Sequence, residues 1–351
     1  MLDILSTNGP RSHWRELYAA NRAAIARAGV PPSERLKLPP LARLPAGPLG
    51  VECGSGVAEG SHRALVHVPR ELDTAKPAPL VCMLHGCTQD PTTFAAATLM
   101  NQAADRHGFV VVYPGQDRSR NPQGCWNWFL PEHQQRGSGE PAAIATIIGN
   151  LIDANSQCTI DPARVFVAGL SSGGTMAAIL GACYPDVFAA VAVHSGLAYG
   201  SAFSMGSALD AMATGRGNAD AQGHAAHAAM GRNARPVPSM AIHGDADQTV
   251  VPSNAINVLR QSMTANHLAS PETCHHDAEH PASSRRGRTD GGRPYTQSRW
   301  LDARGALTHE LLMIDGLGHA WSGGAPGGSH TDPRGPSATD AIWAFFATTS
   351  S

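Results

Sequence analysis

A serine flanked by glycines is the feature of this sequence best suited to chemistry. The segment Gly169–Gly173, with the sequence GLSSG, follows the apolar run Val165–Ala168 and precedes a helical stretch over Thr175–Cys183. On such a strand-to-helix turn the serine oxygen is exposed at the sheet edge, and the glycines permit a strained backbone. The helix N-terminus also offers unpaired N–H groups to a developing oxyanion. The pattern predicts that Ser171 is a nucleophile; the alternative is a glycine-rich turn with a capping serine.

A serine hydroxyl becomes a good nucleophile only when a base takes its proton, so a histidine must come within about 3 Å of it. Among 17 histidines, His319 stands out because it follows a predicted strand, Leu311–Ile314, and a glycine-containing loop, Asp315–Gly318. It also lies C-terminal to the other candidates, which fits a chain order of serine, acid and histidine. We predict His319 as the general base; the alternative is a histidine of a surface loop.

Two aspartates are candidates for the acid that orients this histidine. Asp245 and Asp247 both follow the apolar run Met240–Ile242 and both lie between the serine and the histidine in the chain. Asp247 is further into the loop, where a carboxylate can reach an imidazole. Asp245 is better placed to accept hydrogen bonds from nearby backbone N–H groups and hold the turn. We therefore predict Asp247 as the acid.

An oxyanion on the substrate needs two N–H donors close to the nucleophile. The N–H of Ser172 is one candidate, and the loop Leu84–Gln89, which follows an apolar run, offers the N–H of Cys87 as the second. The side chain of Cys87 could form a disulfide with Cys125 or remain a packed thiol. The spacing of the two cysteines leaves both alternatives open.

Three tryptophans fall in loops rather than in apolar runs: Trp126, Trp128 and Trp321. Flat aromatic side chains near the predicted histidine could form the walls of a substrate pocket, and we predict that these three bind substrate. Packing in the hydrophobic core is the alternative.

Neither a metal nor a cofactor is expected. The segment Cys274–Asp277 together with His280 contains metal-binding side chain types, but their spacing matches no standard zinc site. The glycine patterns of dinucleotide-binding and ATP-binding loops are absent from the sequence.

The elements that must position these residues appear as short apolar runs separated by helical stretches. The runs are Ala64–Val68, Leu80–Leu84, Phe109–Tyr113, Val165–Ala168, Ala189–Val193 and Ser239–Ile242. Such runs are typical of buried parallel strands, so we predict an α/β fold with a doubly wound, mostly parallel sheet flanked by helices. Further on, Tyr295–Leu301 and Leu307–Ile314 predict a hairpin, and the polar stretch Pro271–Arg293 predicts an exposed loop.

The composition bounds the domain organisation and the partners. The 351 residues, 42% of them hydrophobic, predict one main domain over 51–351, preceded by residues 1–50 with an amphipathic helix at Ser12–Ala28 and a proline-rich linker at Pro31–Pro48. This helix is expected to dock on the main domain or to attach to a hydrophobic particle. A net charge of -2 argues against nucleic acid as a partner.

The N-terminal sequence resembles no secretory signal, and no apolar run is long enough to span a membrane. We therefore expect a cytoplasmic protein without a transmembrane segment. The seven cysteines do not decide the compartment, because their odd number only requires that at least one lacks an intramolecular disulfide partner.

Taken together, these motifs resemble the polyhydroxybutyrate depolymerase family of esterases, which is close to the feruloyl and acetyl xylan esterases. The similar stretches are Leu84–Gln89, Asn121–Phe129, Ile160–Gly174, His243–Asp247 and Gly318–Gly324, within about residues 60 to 346.

The resemblance implies an α/β-hydrolase fold, a triad of Ser171, Asp247 and His319, and an oxyanion loop N-terminal to the nucleophile, as in the type I catalytic domains. It also implies hydrolysis of poly(3-hydroxybutyrate) or its oligomers, with feruloyl or acetyl xylan esters as the alternative substrates. Because the sequence shows no signal peptide and no C-terminal substrate-binding domain, it looks like the intracellular members that act on storage granules.

Overall fold

The computed structural model describes residues 63–349 except 155–157, 275–276 and 291, together with two short strands, β1 (Ala42–Arg43) and β2 (Cys53–Gly54), which pair antiparallel. The predicted helix at Ser12–Ala28 and most of the predicted linker lie outside the described residues. The division of the chain near residue 50 therefore stays a prediction.

A nine-stranded sheet forms the centre of the molecule. Its strands are β3 (Ala64–His67), β4 (Ala78–Leu84), β5 (Val110–Pro114), β6 (Ile160–Leu170), β7 (Ala190–His194), β8 (Ser239–Gly244), β9 (Ser283–Arg288), β10 (Pro294–Leu301) and β11 (Leu307–Ile314). The spatial order is β3-β5-β4-β6-β7-β8-β11-β10-β9. The six strands from β5 to β11 in this order are parallel, whereas β3, β10 and β9 each run antiparallel to the neighbour through which they join the sheet. The predicted strands and the hairpin of β10 and β11 are confirmed, except that the first of the predicted parallel strands, β3, is antiparallel.

Helices cover both faces of this sheet. They are α1 (Pro91–Thr98), α2 (Met100–His107), α3 (Gly139–Asp153), α4 (Ser172–Cys183), α5 (Met205–Thr214), α6 (Ala219–Met230), α7 (Ser253–Ala269) and α8 (Ala338–Thr348). Alternate residues of the fully buried strand β4 enter two separate cores: Leu80, Cys82 and Leu84 pack with α3 to α7, while Val81 and Met83 pack with α1, α2 and α8. Burial on both faces explains why these strands are continuous apolar runs, and the predicted doubly wound α/β class is confirmed.

One prediction is wrong over part of its range. Most described residues of the polar stretch Pro271–Arg293 are exposed or partly exposed as expected, but Ser283–Arg288 form the edge strand β9. Nearly all of its side chains face solvent, so the strand carries no alternating apolar pattern from which it could be predicted. Backbone pairing with β10 holds it in the sheet together with polar side chain contacts, such as that of Arg285 with Gln297 at 2.8 Å. Arginines are common on such edges because their charge discourages pairing with other chains.

The carboxyl ends of the parallel strands position the predicted site. The loops that follow β4, β6, β8 and β11 carry, in that order, the predicted oxyanion loop, Ser171, Asp247 and His319. Ligands of open α/β sheets bind at this edge. A small parallel pair of strands, β12 (Trp321–Ser322) and β13 (Thr331–Asp332), follows the histidine loop and closes one side of the site. Within the described part of the chain, no helix is both long and apolar enough to cross a membrane.

Candidate active site

Ser171 lies on a strained turn between β6 and α4. Its backbone has φ +57° and ψ −119°, a conformation that residues other than glycine rarely adopt. The turn is held from both sides, because the N–H of Ser171 donates to the carbonyl of His194 at 2.9 Å and its carbonyl accepts from the N–H of Thr175 at 2.9 Å. Strain of this kind persists only where the surrounding structure fixes it, and it is concentrated at functional sites.

The flanking glycines allow the strand and the helix to approach each other at this turn. A Cβ atom on Gly169 would overlap the backbone of Gly173, and a Cβ on Gly173 would overlap the carbonyl oxygen of Leu84. Both overlaps are with backbone atoms, which cannot move aside as a flexible side chain can. The glycines of the GLSSG segment are therefore required by packing, as the sequence pattern predicts.

Asp247 and His319 are joined by a hydrogen bond. Oδ2 of Asp247 lies 2.7 Å from Nδ1 of His319, while Oδ1 accepts from the N–H groups of Thr249 and Val250 at 2.9 and 3.0 Å. The carboxylate is buried, with 2% of the residue's surface exposed. An imidazole that donates through Nδ1 presents Nε2 as its basic nitrogen, which is the arrangement that a general base requires.

A second histidine, which the sequence analysis did not single out, also contacts this carboxylate. Nε2 of the buried His243 lies 2.8 Å from the carbonyl oxygen of Val250 and 3.4 Å from Oδ2 of Asp247. Burial by itself would raise the pKa of Asp247, but the hydrogen bonds from His243 and His319 outweigh it and hold this pKa well below its ordinary value. The carboxylate therefore stays ionised at neutral pH.

The other aspartate of this loop has a different environment. Asp245 is exposed, and its Oδ1 accepts a hydrogen bond from the N–H of Gly316 at 2.5 Å. It thus fastens the turn that precedes His319 without contacting the imidazole. Of the two aspartates weighed from the sequence, the structure brings Asp247 to the histidine.

Ser171 and His319 line the same cavity, which has a volume of about 380 Å³. Four residues of α5 form much of its apolar wall, and Leu197 and Val250 extend that wall. The lining includes no Asp, Glu, Lys or Arg side chain, so the cavity suits an uncharged ligand with an apolar part. The α5 residues are Met205, Ala208, Leu209 and Met212.

The two predicted oxyanion donors lie beside the serine. Cys87 and Ser172 both line the cavity, and within the described residues neither of their backbone N–H groups donates to another protein group. Cys87 forms a disulfide with Cys125, which decides between the two alternatives that the sequence left open. The bond ties the Leu84–Gln89 loop to the loop that carries Trp126 and Trp128.

A buried polar network that was missed from the sequence fixes this second loop. Glu140 is fully buried, and its carboxylate accepts from the backbone N–H of Asn127 at 2.7 Å, from Nδ2 of Asn127 at 2.8 Å and from the side chain amide of Gln116. The N–H of Gln116 in turn donates to Nε2 of His85 at 3.1 Å. A glutamate at the start of a helix does not by itself indicate a buried network. Only the tertiary contacts therefore identify the role of Glu140.

The three tryptophans divide into two groups. Trp128 lines the cavity, as predicted for a substrate-binding residue. Trp126 and Trp321 are fully buried and do not line it, which corrects their predicted place at the pocket wall. Trp126 donates through Nε1 to the carbonyl of His85, and Trp321 stacks on the ring of His194 with 5.1 Å between ring centroids. Both therefore brace the loops around the site, which is the core-packing alternative.

The segment around Cys274, which contains side chain types that can bind metals, makes contacts of another kind. Cys274 is buried, and His280 pairs with Asp277 at 2.7 Å. Residues 275 and 276 lie outside the described part of the chain. Across the described residues, no three His, Cys, Asp or Glu side chains come together in a group that could hold a metal ion.

A helix-covered parallel sheet with a nucleophile-type turn after β6, an acid after β8 and a histidine after β11 defines the α/β-hydrolase class. The fold is similar to that of an acetyl xylan esterase from Aspergillus awamori, with a TM-score of 0.62 and 22% identity over 81% of this chain and 93% of that one. The chain belongs to the family described as esterase PHB depolymerase, whose model matches residues 66–280.

Relatives of the chain carry several ester-cleaving names. The chain is 34% identical over 266 residues to poly(3-hydroxyalkanoate) depolymerase C of Paucimonas lemoignei, which covers 75% of this chain and 59% of the relative. It is 32% identical over 204 residues to a probable acetylxylan esterase A of Neosartorya fischeri, and the match covers 56% of this chain and 53% of the relative. It is 36% identical over 138 residues to feruloyl esterase B of Thermothelomyces thermophilus, and this match covers 39% of this chain and 45% of the relative. The chain thus spans about half the length of these relatives.

Proposed function

We propose that this chain is a serine ester hydrolase that cleaves poly(3-hydroxybutyrate) or its oligomers through an acyl-enzyme intermediate. The observation that carries the proposal is the hydrogen bond between Asp247 and His319 at the cavity that Ser171 also lines. A buried, ionised carboxylate that fixes an imidazole beside a serine is the arrangement that activates a serine hydroxyl.

In the first half of the proposed reaction, Nε2 of His319 takes the proton of the Ser171 hydroxyl, and Oγ attacks the carbonyl carbon of the ester. The N–H groups of Cys87 and Ser172 hold the negative charge that develops on the carbonyl oxygen. His319 then gives its proton to the departing alcohol oxygen, and the C–O bond of the ester breaks. The acyl group remains on Ser171.

In the second half, a water molecule loses its proton to His319 and attacks the acyl carbon. The bond to Oγ breaks, the proton returns to Ser171, and the carboxylic acid leaves. Asp247 stays ionised throughout and stabilises the imidazolium that forms in each half. Ser171 already lines the cavity, where the strained turn between β6 and α4 holds it.

The substrate class is supported by the family and by the cavity. The family model carries the description esterase PHB depolymerase, and one relative is named as a poly(3-hydroxyalkanoate) depolymerase. A cavity of about 380 Å³ with an apolar wall and no charged side chain fits the short alkyl branches and neutral ester groups of such a polymer. Feruloyl or acetyl xylan esters are the second candidate, because relatives of similar identity carry those names.

The test compares wild-type protein with Ser171→Ala on amorphous poly(3-hydroxybutyrate) granules, on acetylated xylan and on a feruloylated sugar. Turbidity and released 3-hydroxybutyrate, acetate and ferulate are measured. Clearing of granules by the wild type and not by the variant is the expected result. Release of acetate or ferulate without clearing would identify carbohydrate esters as the substrates instead. Full activity of Ser171→Ala would refute the assignment of Ser171 as the nucleophile.

Association with storage granules in the cytoplasm forms part of the proposal. Cell fractionation tests it, with granules separated from soluble and extracellular protein. The state of Cys87 and Cys125 in cells is informative as well, since disulfides are rare in a reducing cytoplasm. An extracellular protein with this pair fully oxidised would contradict the predicted location.

A further inference from the structure

His330 lines the cavity wall with a backbone conformation that is unusual for its residue type. It has φ +52°, in the left-handed region that favours glycine. Glycine would fit this turn without strain, so a histidine here costs stability. Strain that the surrounding structure holds in place points to a use for the side chain.

The position of His330 is fixed by contacts to the catalytic loops. Its carbonyl accepts from the N–H of Trp321 at 2.7 Å, two residues after His319. The carbonyl of the preceding residue, Ser329, accepts from Nε2 of Gln89 at 2.9 Å, while Oε1 of Gln89 accepts from the N–H of Gly86 at 2.9 Å. The buried Gln89 therefore ties the His330 turn to the loop that carries the proposed oxyanion donor.

The imidazole of His330 has one ring nitrogen engaged and one that has no contact among the described residues. Nδ1 lies 2.9 Å from the hydroxyl of Ser329, and no protein group among the described residues contacts Nε2. When the Ser329 hydroxyl donates to Nδ1, Nε2 carries the proton and becomes a donor. Although the residue is largely exposed, partial desolvation of its ring and the nearby His319 imidazole lower the pKa of His330, which favours this neutral form.

The cavity lining contains two chemically different groups of residues. The α5 residues are apolar, whereas His330 belongs with Thr88, Gln89 and Gln123 to loops that hydrogen bonds join together. An ester that places an alkyl acyl chain against α5 presents its alcohol half to these polar loops. Both amide ends of Gln89 are used within the protein. Of the polar residues on these loops, His330 combines a strained backbone with a ring nitrogen that has no contact among the described residues.

We propose that His330 is a substrate-binding residue that donates a hydrogen bond from Nε2 to a carbonyl oxygen in the alcohol half of the substrate. A hydroxyalkanoate oligoester has such an oxygen in the unit beyond the scissile bond, whereas a simple alkyl ester has none. His330 thus selects for repeated esters over simple ones. This inference rests on the proposed function and specifies how that site recognises its substrate.

A matched pair of esters tests the assignment. Methyl 3-(butanoyloxy)butanoate and sec-butyl butanoate share the butanoyl group and a secondary ester, and only the first carries a second carbonyl. The measurement is butyrate release by the full chain, expressed as the ratio of kcat/KM for the two esters. His330→Gly fits the left-handed turn and keeps the backbone bond from Trp321, so it should fold. His330→Asn, which also tolerates this backbone, retains a shorter donor.

We expect His330→Gly to lower the ratio about tenfold, which is the loss of one hydrogen bond to the substrate, and His330→Asn to lower it less. The exposed His224 lies on α6 away from the cavity, and the control His224→Asn should keep the wild-type ratio. A ratio that stays at the wild-type value in His330→Gly, with butyrate still released, overturns the role of His330. Release of butyrate from neither ester by the wild type overturns the proposed function itself.

Discussion

Oδ2 of Asp247 lies 2.7 Å from Nδ1 of His319, and Oδ1 of the same carboxylate accepts two backbone N–H groups. The two backbone hydrogen bonds therefore hold the carboxylate in one orientation toward the imidazole. A fixed acid selects one tautomer of the histidine, and in that tautomer Nε2 is the basic nitrogen.

This relationship predicts different effects for the two neighbouring aspartates. Asp247→Asn should lower kcat for ester hydrolysis by about 10³- to 10⁴-fold, because an amide can favour the wrong tautomer of His319. Asp245→Asn keeps an oxygen that can accept from the N–H of Gly316 and should cost less than about tenfold. Steady-state kinetics on p-nitrophenyl butanoate measures both. Equal losses in the two variants would contradict the assignment of the acid.

The close approach of α4 to the sheet predicts that alanine substitution has opposite effects on stability at two helical glycines. Gly173→Ala should lower the free energy of unfolding by about 3 kcal/mol or more, because its Cβ meets the backbone of Leu84. Gly149 lies in α3 with no atom within 4 Å of an added Cβ, so Gly149→Ala should raise stability by about 0.5–1 kcal/mol. Urea unfolding of both variants checks this. A stable, active Gly173→Ala protein would exclude the packing argument.

The disulfide between Cys87 and Cys125 predicts sensitivity to reduction. The double variant Cys87→Ala/Cys125→Ala should lose about 2–4 kcal/mol of unfolding free energy and much of its esterase activity, since the proposed oxyanion loop is then held less firmly. Dithiothreitol should weaken the wild type and leave the double variant unchanged. Cys158 is partly exposed and forms no disulfide with another described residue, and Cys158→Ser serves as the control. Full activity in the double variant would show that the bond does not support catalysis.

Trp128 and Trp321 should differ in what their replacement changes. Trp128→Ala enlarges the cavity, so activity on p-nitrophenyl octanoate should rise relative to the butanoate ester by about tenfold. Trp321→Phe removes the Nε1 hydrogen bond to Thr339, which is 3.2 Å long, and should cost about 1 kcal/mol of stability without shifting that ratio. A shifted chain-length preference in Trp321→Phe would indicate that Trp321 lines the substrate pocket.

The buried His309 predicts a pH dependence of stability. Burial lowers its pKa from 6.5 to about 3 in the folded protein, so the unfolded chain binds the proton first. Its contribution is complete above pH 6.5 and is lost as the pH falls toward 3. Between pH 7.5 and 5.5 the wild type should lose about 1.4 kcal/mol more stability than His309→Gln. Urea titrations at the two pH values measure this difference, and an equal loss in both proteins would contradict it.

The sequence by itself determined the α/β class, most of the strands and the positions of the chemical groups along the chain. Buried parallel strands must be apolar on both faces, so β4, β6 and β8 stood out as continuous runs, and the residues after them marked the site edge. The edge strand β9 escaped prediction because its side chains are mostly exposed and show no alternating apolar pattern, and its pairing with β10 is visible only in the fold.

The tertiary structure decided which distant groups meet. It brought Asp247 rather than Asp245 to His319, placed Trp126 and Trp321 in the interior, and joined Cys87 to Cys125. It also added groups that no motif marked, such as His330, whose strained backbone and uncommitted ring nitrogen exist only in the fold. The physical reason is that side chain contacts between loops depend on the directions in which the loops leave the sheet, and local sequence patterns do not encode these directions.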